Sequence, residues 1–159
     1  MFDVDRCDNL GVEGILKVEL HQHIDGSIPV ADTWRLMKQH SLNPVETEDQ
    51  MRRLLVMGPE DHGKGLLKYL DKFHYPLWVT QFYENLVEVS FSIAKEAYTR
   101  CNVRLLELRY SPTIHTYAGL TPREAIVSVL EGLKKAEDQC PGLKTGLIVI
   151  AMRQMGPHI

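Results

Sequence analysis

Three short strand-forming runs, separated by helical stretches far too long for hairpins, constrain this chain more than any other feature. The runs are Ile15 to His23, Val103 to Ser111 and Lys144 to Arg153. The last contains Gly146-Leu147-Ile148-Val149-Ile150-Ala151-Met152, nearly all apolar, the pattern of a parallel strand covered on both faces. Between the first two runs the sequence predicts helices over Val30 to Leu42, Glu48 to Val56, Leu66 to His74 and Thr80 to Cys101. Glycines and a proline mark a loop from Met57 to Gly65. Between the second and third, Thr121-Pro122-Arg123-Glu124 opens a helix with threonine at the cap, proline first and glutamate third, and Pro141-Gly142 stops it. Strands alternating with helices imply an α/β fold with a parallel sheet and right-handed crossovers. A closed (β/α)₈ barrel needs roughly 250 residues. Three parallel strands in 159 residues do not close such a barrel, and the apolar third strand is left at an open edge. That edge is completed by another chain, by self-association, or by the rest of a longer protein of which this is a fragment.

The first run ends in chemistry. Lys17-Val18-Glu19-Leu20-His21-Gln22-His23-Ile24-Asp25-Gly26-Ser27 reads as a buried strand that runs into a turn. Strand side chains alternate faces, so His21 and His23 point the same way, and two imidazoles on one face can occupy two positions around one metal ion. Asp25 follows on the same parity if the strand continues that far. It also reads as a turn aspartate.

Composition excludes several classes. A net charge of −3 with only short basic clusters gives no reason to expect nucleic-acid or membrane binding. Three widely spaced cysteines, Cys7, Cys101 and Cys140, form neither a disulfide framework nor a Cys-x-x-Cys clip, which fits a reducing, cytoplasmic compartment. The polar N-terminus from Met1 to Arg6 does not read as a signal peptide, and no apolar stretch is long enough to span a bilayer.

Four blocks in order resemble the adenosine deaminase family of the metal-dependent amidohydrolase superfamily. They are Lys17 to Ile28, Lys68-Tyr69-Leu70-Asp71-Lys72-Phe73, Leu105-Leu106-Glu107-Leu108-Arg109-Tyr110-Ser111-Pro112, and Ile150-Ala151-Met152-Arg153. The resemblance implies a (β/α)₈ TIM barrel. This chain would supply its first three βα units, with extra helices between strands 1 and 2, so that residues 1–159 form the N-terminal portion of a single barrel domain. It implies zinc as cofactor, with His21 and His23 as two of its ligands, and a purine nucleoside such as adenosine or deoxyadenosine as substrate. Hydrolytic deamination then gives inosine and ammonia.

By the same resemblance Asp25 binds the ribose end, which favours a nucleoside over a free base. Gly26 lets backbone approach the ligand, and Leu70 and Phe73 wall the purine, with Trp78 a weaker candidate. Ser111 and Arg153 stand at strand ends, where Arg153 must find a carboxylate or point to solvent. Glu107 and Arg109 share a face with Ser111 and are expected to pair. Among the other histidines, His40 and His62 are expected to be exposed, and His115 to lie on the surface. The family's remaining zinc ligands and its acid and base come from later strands, so no catalytic residue is expected within this chain and the 159 residues alone are expected to be inactive. Other readings stay open: another His-x-His amidohydrolase, an adenine-type deaminase, or a non-catalytic fragment that acts by association.

Overall fold

The computed structural model describes residues 14–153. The readings made on Met1 to Arg6 and Cys7 lie outside the described residues. Strand β1 (Lys17–His23) is followed by helices α1 (Val30–Gln39), α2 (Glu48–Leu55), α3 (Gly65–Leu70), α4 (His74–Val79) and α5 (Tyr83–Cys101). Then come β2 (Val103–Tyr110), α6 (Pro122–Gln139) and β3 (Lys144–Val149), with 3₁₀ turns at Pro59–Asp61, Asp71–Phe73 and Pro112–His115. The strands form one parallel sheet in the order β1-β2-β3. This is the expected partial barrel.

Local chemistry sets the boundaries. Asn102 ends α5 in the left-handed conformation, with φ of 55°, a role that suits asparagine and glycine. At the start of α6 the Thr121 hydroxyl accepts from the Glu124 amide, and the Glu124 carboxylate accepts from the Thr121 amide, as the sequence predicts. The same reciprocal cap, which the sequence reading missed, opens α2 between Thr47 and Gln50. The single helix expected over Leu66 to His74 is instead α3, a 3₁₀ turn and α4 in succession.

Two bulges keep the sheet amphipathic. The β1–β2 register slips between Lys17 and Val18, where β2 carries an extra residue, and again between Glu19 and Gln22, where β1 does. A bulge reverses the parity of whatever follows it. Val103, Leu106, Leu108 and Tyr110 therefore all face the helices and are buried. Val18 and Leu20 share their exposed status with His21 and His23, which strict alternation from Val18 would not allow.

The core lies between the sheet and the α5–α6 pair. Leu86, Val89, Ile93 and Ala94 of α5 and Ala125, Val129, Leu133 and Ala136 of α6 are all buried. The two helices meet at Gly132. A Cβ built there overlaps Ser90 Oγ and the Val87 carbonyl oxygen. The opposite face of the sheet is open: Val18 is 59% and Leu20 52% exposed, with Leu105 also on the surface.

The third strand corrects its expectation. It is shorter than the apolar run, ending at Val149, and its residues are half-buried or exposed rather than covered on both faces. Among the described residues β3 pairs only with β2. Arg153 is exposed beyond the strand end, the solvent-facing alternative for that side chain.

His115 corrects another. The Pro112–His115 turn folds it back under the sheet, where it is 0% exposed, its Nδ1 2.8 Å from Thr80 Oγ1 and its ring against Tyr110. Burial pushes its imidazole down to about 4. His40 is likewise half-buried, stacked on Phe82 and 3.0 Å from Asn85 Nδ2, whereas His62 is exposed as expected.

Two predictions follow from this packing. Gly132→Ala, normally worth about 1 kcal/mol of helix propensity, is expected to destabilise the fold by about 2 kcal/mol, because backbone must move to admit the methyl group. Urea unfolding measures it, and a stabilised variant would refute the contact. His115 is neutral when folded and binds its proton more readily when unfolded. Its contribution is therefore fully present above its unfolded pKa near 6.5 and is lost as pH falls toward 4. About 2 kcal/mol is expected to be gone by pH 5. That slope should disappear in His115→Gln.

Candidate active site

His21, His23, Ser111 and Arg153 lie at or just beyond the C-terminal ends of the strands, where (β/α)₈ barrels place their active sites. His21 and His23 lie on the open face of the sheet at the end of β1. Their ring centroids are 5.5 Å apart and the rings are tilted by 33°. Two imidazole nitrogens at about 2 Å from a tetrahedral zinc put the ring centroids roughly 5 Å apart, so the pair fits two corners of such a site. Among the described residues no group of three or more histidine, cysteine, aspartate or glutamate side chains converges on one point.

The bulge that presents the pair is pinned by polar side chains. Arg109 Nη2 donates to the Leu20 carbonyl at 2.8 Å, and the His21 amide donates to Glu19 Oε1 at 2.8 Å. These bonds replace the ladder partners that the extra residue removes. Arg109 thus serves the backbone of β1 instead of forming the expected pair with Glu107. The sequence carried no sign of this role, because a bulge is fixed by pairing between strands.

Beyond β1 the chain turns. Asp25 sits in that turn with its side chain 22% exposed, and Oδ1 lies 3.8 Å from His23 Nδ1. Desolvation raises its pKa above the ordinary carboxylate value, opposed by a backbone hydrogen bond and the nearby imidazole. At the next residue the expectation is modified: the group that approaches Gly26 is the ring of Phe73. A Cβ at position 26 would lie 2.6 Å from Phe73 Cε1. The fold therefore brings His21, His23, Asp25, Gly26 and Phe73 together. Leu70, on α3, is 48% exposed and lines a groove with Phe73. Trp78 joins His74 and Tyr75 in an edge-on aromatic cluster on α4. Ser111 is buried at the end of β2, with Oγ 2.9 Å from Thr113 Oγ1. Among the described residues no hydrogen bond or ion pair links Ser111 or Arg153 to the group around His23.

A parallel sheet of βα units with paired histidines at the end of its first strand has the architecture of the amidohydrolase-fold deaminases. The family model described as adenosine deaminase matches residues 16–159, and the chain belongs to that family. It is 36% identical over 138 residues to an adenosine deaminase of Clostridium perfringens, covering 86% of this chain and 40% of that protein. It is 32% identical over 143 residues to a probable adenosine deaminase of Dictyostelium discoideum, covering 90% of this chain and 18% of that one. Among solved structures, adenine deaminase from Arthrobacter aurescens aligns with a TM-score of 0.70 at 22% identity, over 83% of this chain and 38% of that one. An amidohydrolase from Burkholderia ambifaria with bound Zn aligns with a TM-score of 0.71 at 19% identity, over 94% and 38% respectively. The chain thus spans 40% or less of the length of each of these relatives.

The Gly26–Phe73 contact is testable directly. Gly26→Val is expected to push the Phe73 ring out of its seat, read as a shift of a 4-fluoro label on Phe73 toward the solvent-exposed frequency. An unchanged resonance would show that the ring does not rest there.

Proposed function

We propose that this chain forms the zinc-binding and nucleoside-end part of an enzyme that hydrolytically deaminates adenosine, or a related purine nucleoside, to inosine and ammonia. The observation that carries the reading is the His21–His23 pair, set at ligand spacing on the open face of the sheet. Family membership and the adenosine deaminase relatives support it. When bound, zinc at such a site lowers the pKa of a water molecule toward neutrality, which is the chemistry a hydrolytic deamination needs.

The remaining roles belong to this chain's own side chains. His21 and His23 would hold the metal through ring nitrogens. Asp25, half-desolvated beside His23, accepts hydrogen bonds from the ribose hydroxyls. This favours a nucleoside over a free purine base, because a base presents no such donors there. Phe73 and Leu70 supply apolar surface to the purine, with Gly26 giving the ring room to close. Ser111 and Arg153 are assigned to the substrate side of the strand ends, as organisers of the site.

Residues 1–159 are read as the N-terminal portion of a single barrel domain, and a complete barrel is required for turnover. The missing ligands and proton-transfer groups would come from strands beyond β3. Those strands would also cover Val18, Leu20 and Leu105. The isolated chain is expected to be inactive and to associate through the free edge of β3. Among the described residues no helix is long and apolar enough to cross a membrane. The free thiol of Cys140 is in keeping with a reducing, cytoplasmic setting.

In the complete enzyme, adenosine is expected to be converted to inosine, followed by the change in ultraviolet absorbance and by release of ammonia. His21→Ala and His23→Ala should each lower zinc content by 10-fold or more and abolish turnover, and chelation should do the same reversibly. Asp25→Ala should weaken adenosine far more than free adenine. A protein that deaminates adenine in preference to adenosine, with Asp25→Ala leaving both unchanged, would overturn the nucleoside assignment.

A further inference from the structure

The most deeply buried ion pair among the described residues lies outside the histidine site, in the segment between α2 and α4. Asp61 is 4% exposed and the Lys72 side chain 11%. Lys72 Nζ lies 3.0 Å from Asp61 Oδ2 and donates to the carbonyl of Arg53 at 3.2 Å. Asp61 also accepts from the Gly58 amide at 3.2 Å, with Lys64 Nζ 3.7 Å away. One ammonium group therefore joins three stretches that share no regular secondary structure: the last turn of α2, the Pro59–Asp61 turn, and the turn after α3.

The residue next to Lys72 is Phe73, whose ring rests on Gly26. Asp61, Lys72, Leu70 and Phe73 line one continuous groove. Beyond the ring, α4 is anchored by buried Pro76 and Val79. On the near side the Tyr69 ring of α3 meets Phe73 edge-on, with centroids 5.1 Å apart, but α3 itself has little hold on the core, since Leu66, Leu67 and Leu70 are exposed and none of that helix is buried. A short helix with no buried residue is held by what stands at its ends. At its C-terminal end stands the Lys72–Asp61 pair. The pair also holds the Asp61 carboxyl below the ordinary carboxylate range, so it stays charged at neutral pH.

We propose that Lys72 and Asp61 are positioning residues whose buried pair fastens this segment to the end of α2 and thereby seats Phe73 on Gly26, closing one wall of the site beside Asp25. Its consequence for nucleoside binding rests on the deaminase reading above, while its effect on the ring does not.

The test uses the complete enzyme with a 4-fluoro label on Phe73 and three readouts: the label's resonance without substrate, KM and kcat for adenosine, and zinc content. Lys72→Met and Asp61→Asn are expected to move the resonance toward the solvent-exposed frequency. They should raise KM roughly 10-fold while kcat changes less than about twofold, the pattern of lost binding common to ground and transition states. Zinc content should be unchanged, and Lys72→Arg should restore both resonance and KM. Because removing one partner strands the other charge, the double variant Lys72→Met with Asp61→Leu serves as a control that leaves no buried unpaired ion. It should show the same ring shift in a folded protein. An unmoved resonance in that double variant, or a loss confined to kcat, would overturn the proposal. Absence of turnover in the unsubstituted enzyme would overturn the deaminase reading instead, and the ring signal would still decide the latch.

Discussion

The hydrogen bond from Arg109 to the Leu20 carbonyl is the interaction on which the functional end of this fold depends. A strand that carries Val18 and Leu20 on the same face as His21 and His23 needs a change of parity between them, and an inserted residue provides it. The insertion leaves backbone groups without ladder partners, and such groups are costly to leave unsatisfied. Arg109 supplies a charged donor from the central strand, at the position that pairs with His23 across the ladder. The same strand thus sets the register of the histidines and stabilises the irregularity that presents them. Arg109 Nε is buried without a partner, so the guanidinium engages β1 through its terminal nitrogen.

From that point the site is assembled by contacts in sequence order. β1 ends at His23, the next turn brings Asp25 against it, and Gly26 offers a surface without a side chain. Phe73 reaches that surface from helices remote in the chain. The wall it forms is only as well placed as the segment that carries it. The sheet and the α5–α6 pair, by contrast, are fixed by dense burial of apolar side chains, with the Gly132 crossing bringing two backbones close. The scaffold is therefore held by dense packing, whereas the wall on the α3 side is held by a buried ion pair and by the contacts of the Phe73 ring with Gly26 and Tyr69.

This division explains what the sequence made legible. All three strands, their parallel order and both long helices could be read, because each rests on local periodicity or on capping residues such as Thr121 and Glu124. The histidine pair was legible because a spacing of two on a strand has one geometric consequence. What escaped depended on partners distant in sequence. Arg109 looked like a member of an ion pair on its own strand, and its target on β1 exists only once the bulge has formed. His115 looked like a loop residue, yet the Pro112–His115 turn returns it to the interior beside Thr80. The third strand looked fully covered because its run is apolar, but an apolar run states only that cover is suited to it.

The open face of the sheet gives the two incomplete features one cause. Val18, Leu20 and Leu105 are apolar and exposed on the same face from which His21 and His23 project. Any element that covers those apolar residues stands within reach of the histidines. In a closed barrel the later strands do both at once. On the proposed metal reading, burial of the inner face and completion of the ligand set would be a single thermodynamic event, since a metal bound only in the closed form stabilises that form by mass action. Under that reading zinc affinity should track barrel closure rather than the two histidines alone. Substitutions that loosen the inner face, such as Leu20→Ser, should weaken metal retention without touching a ligand.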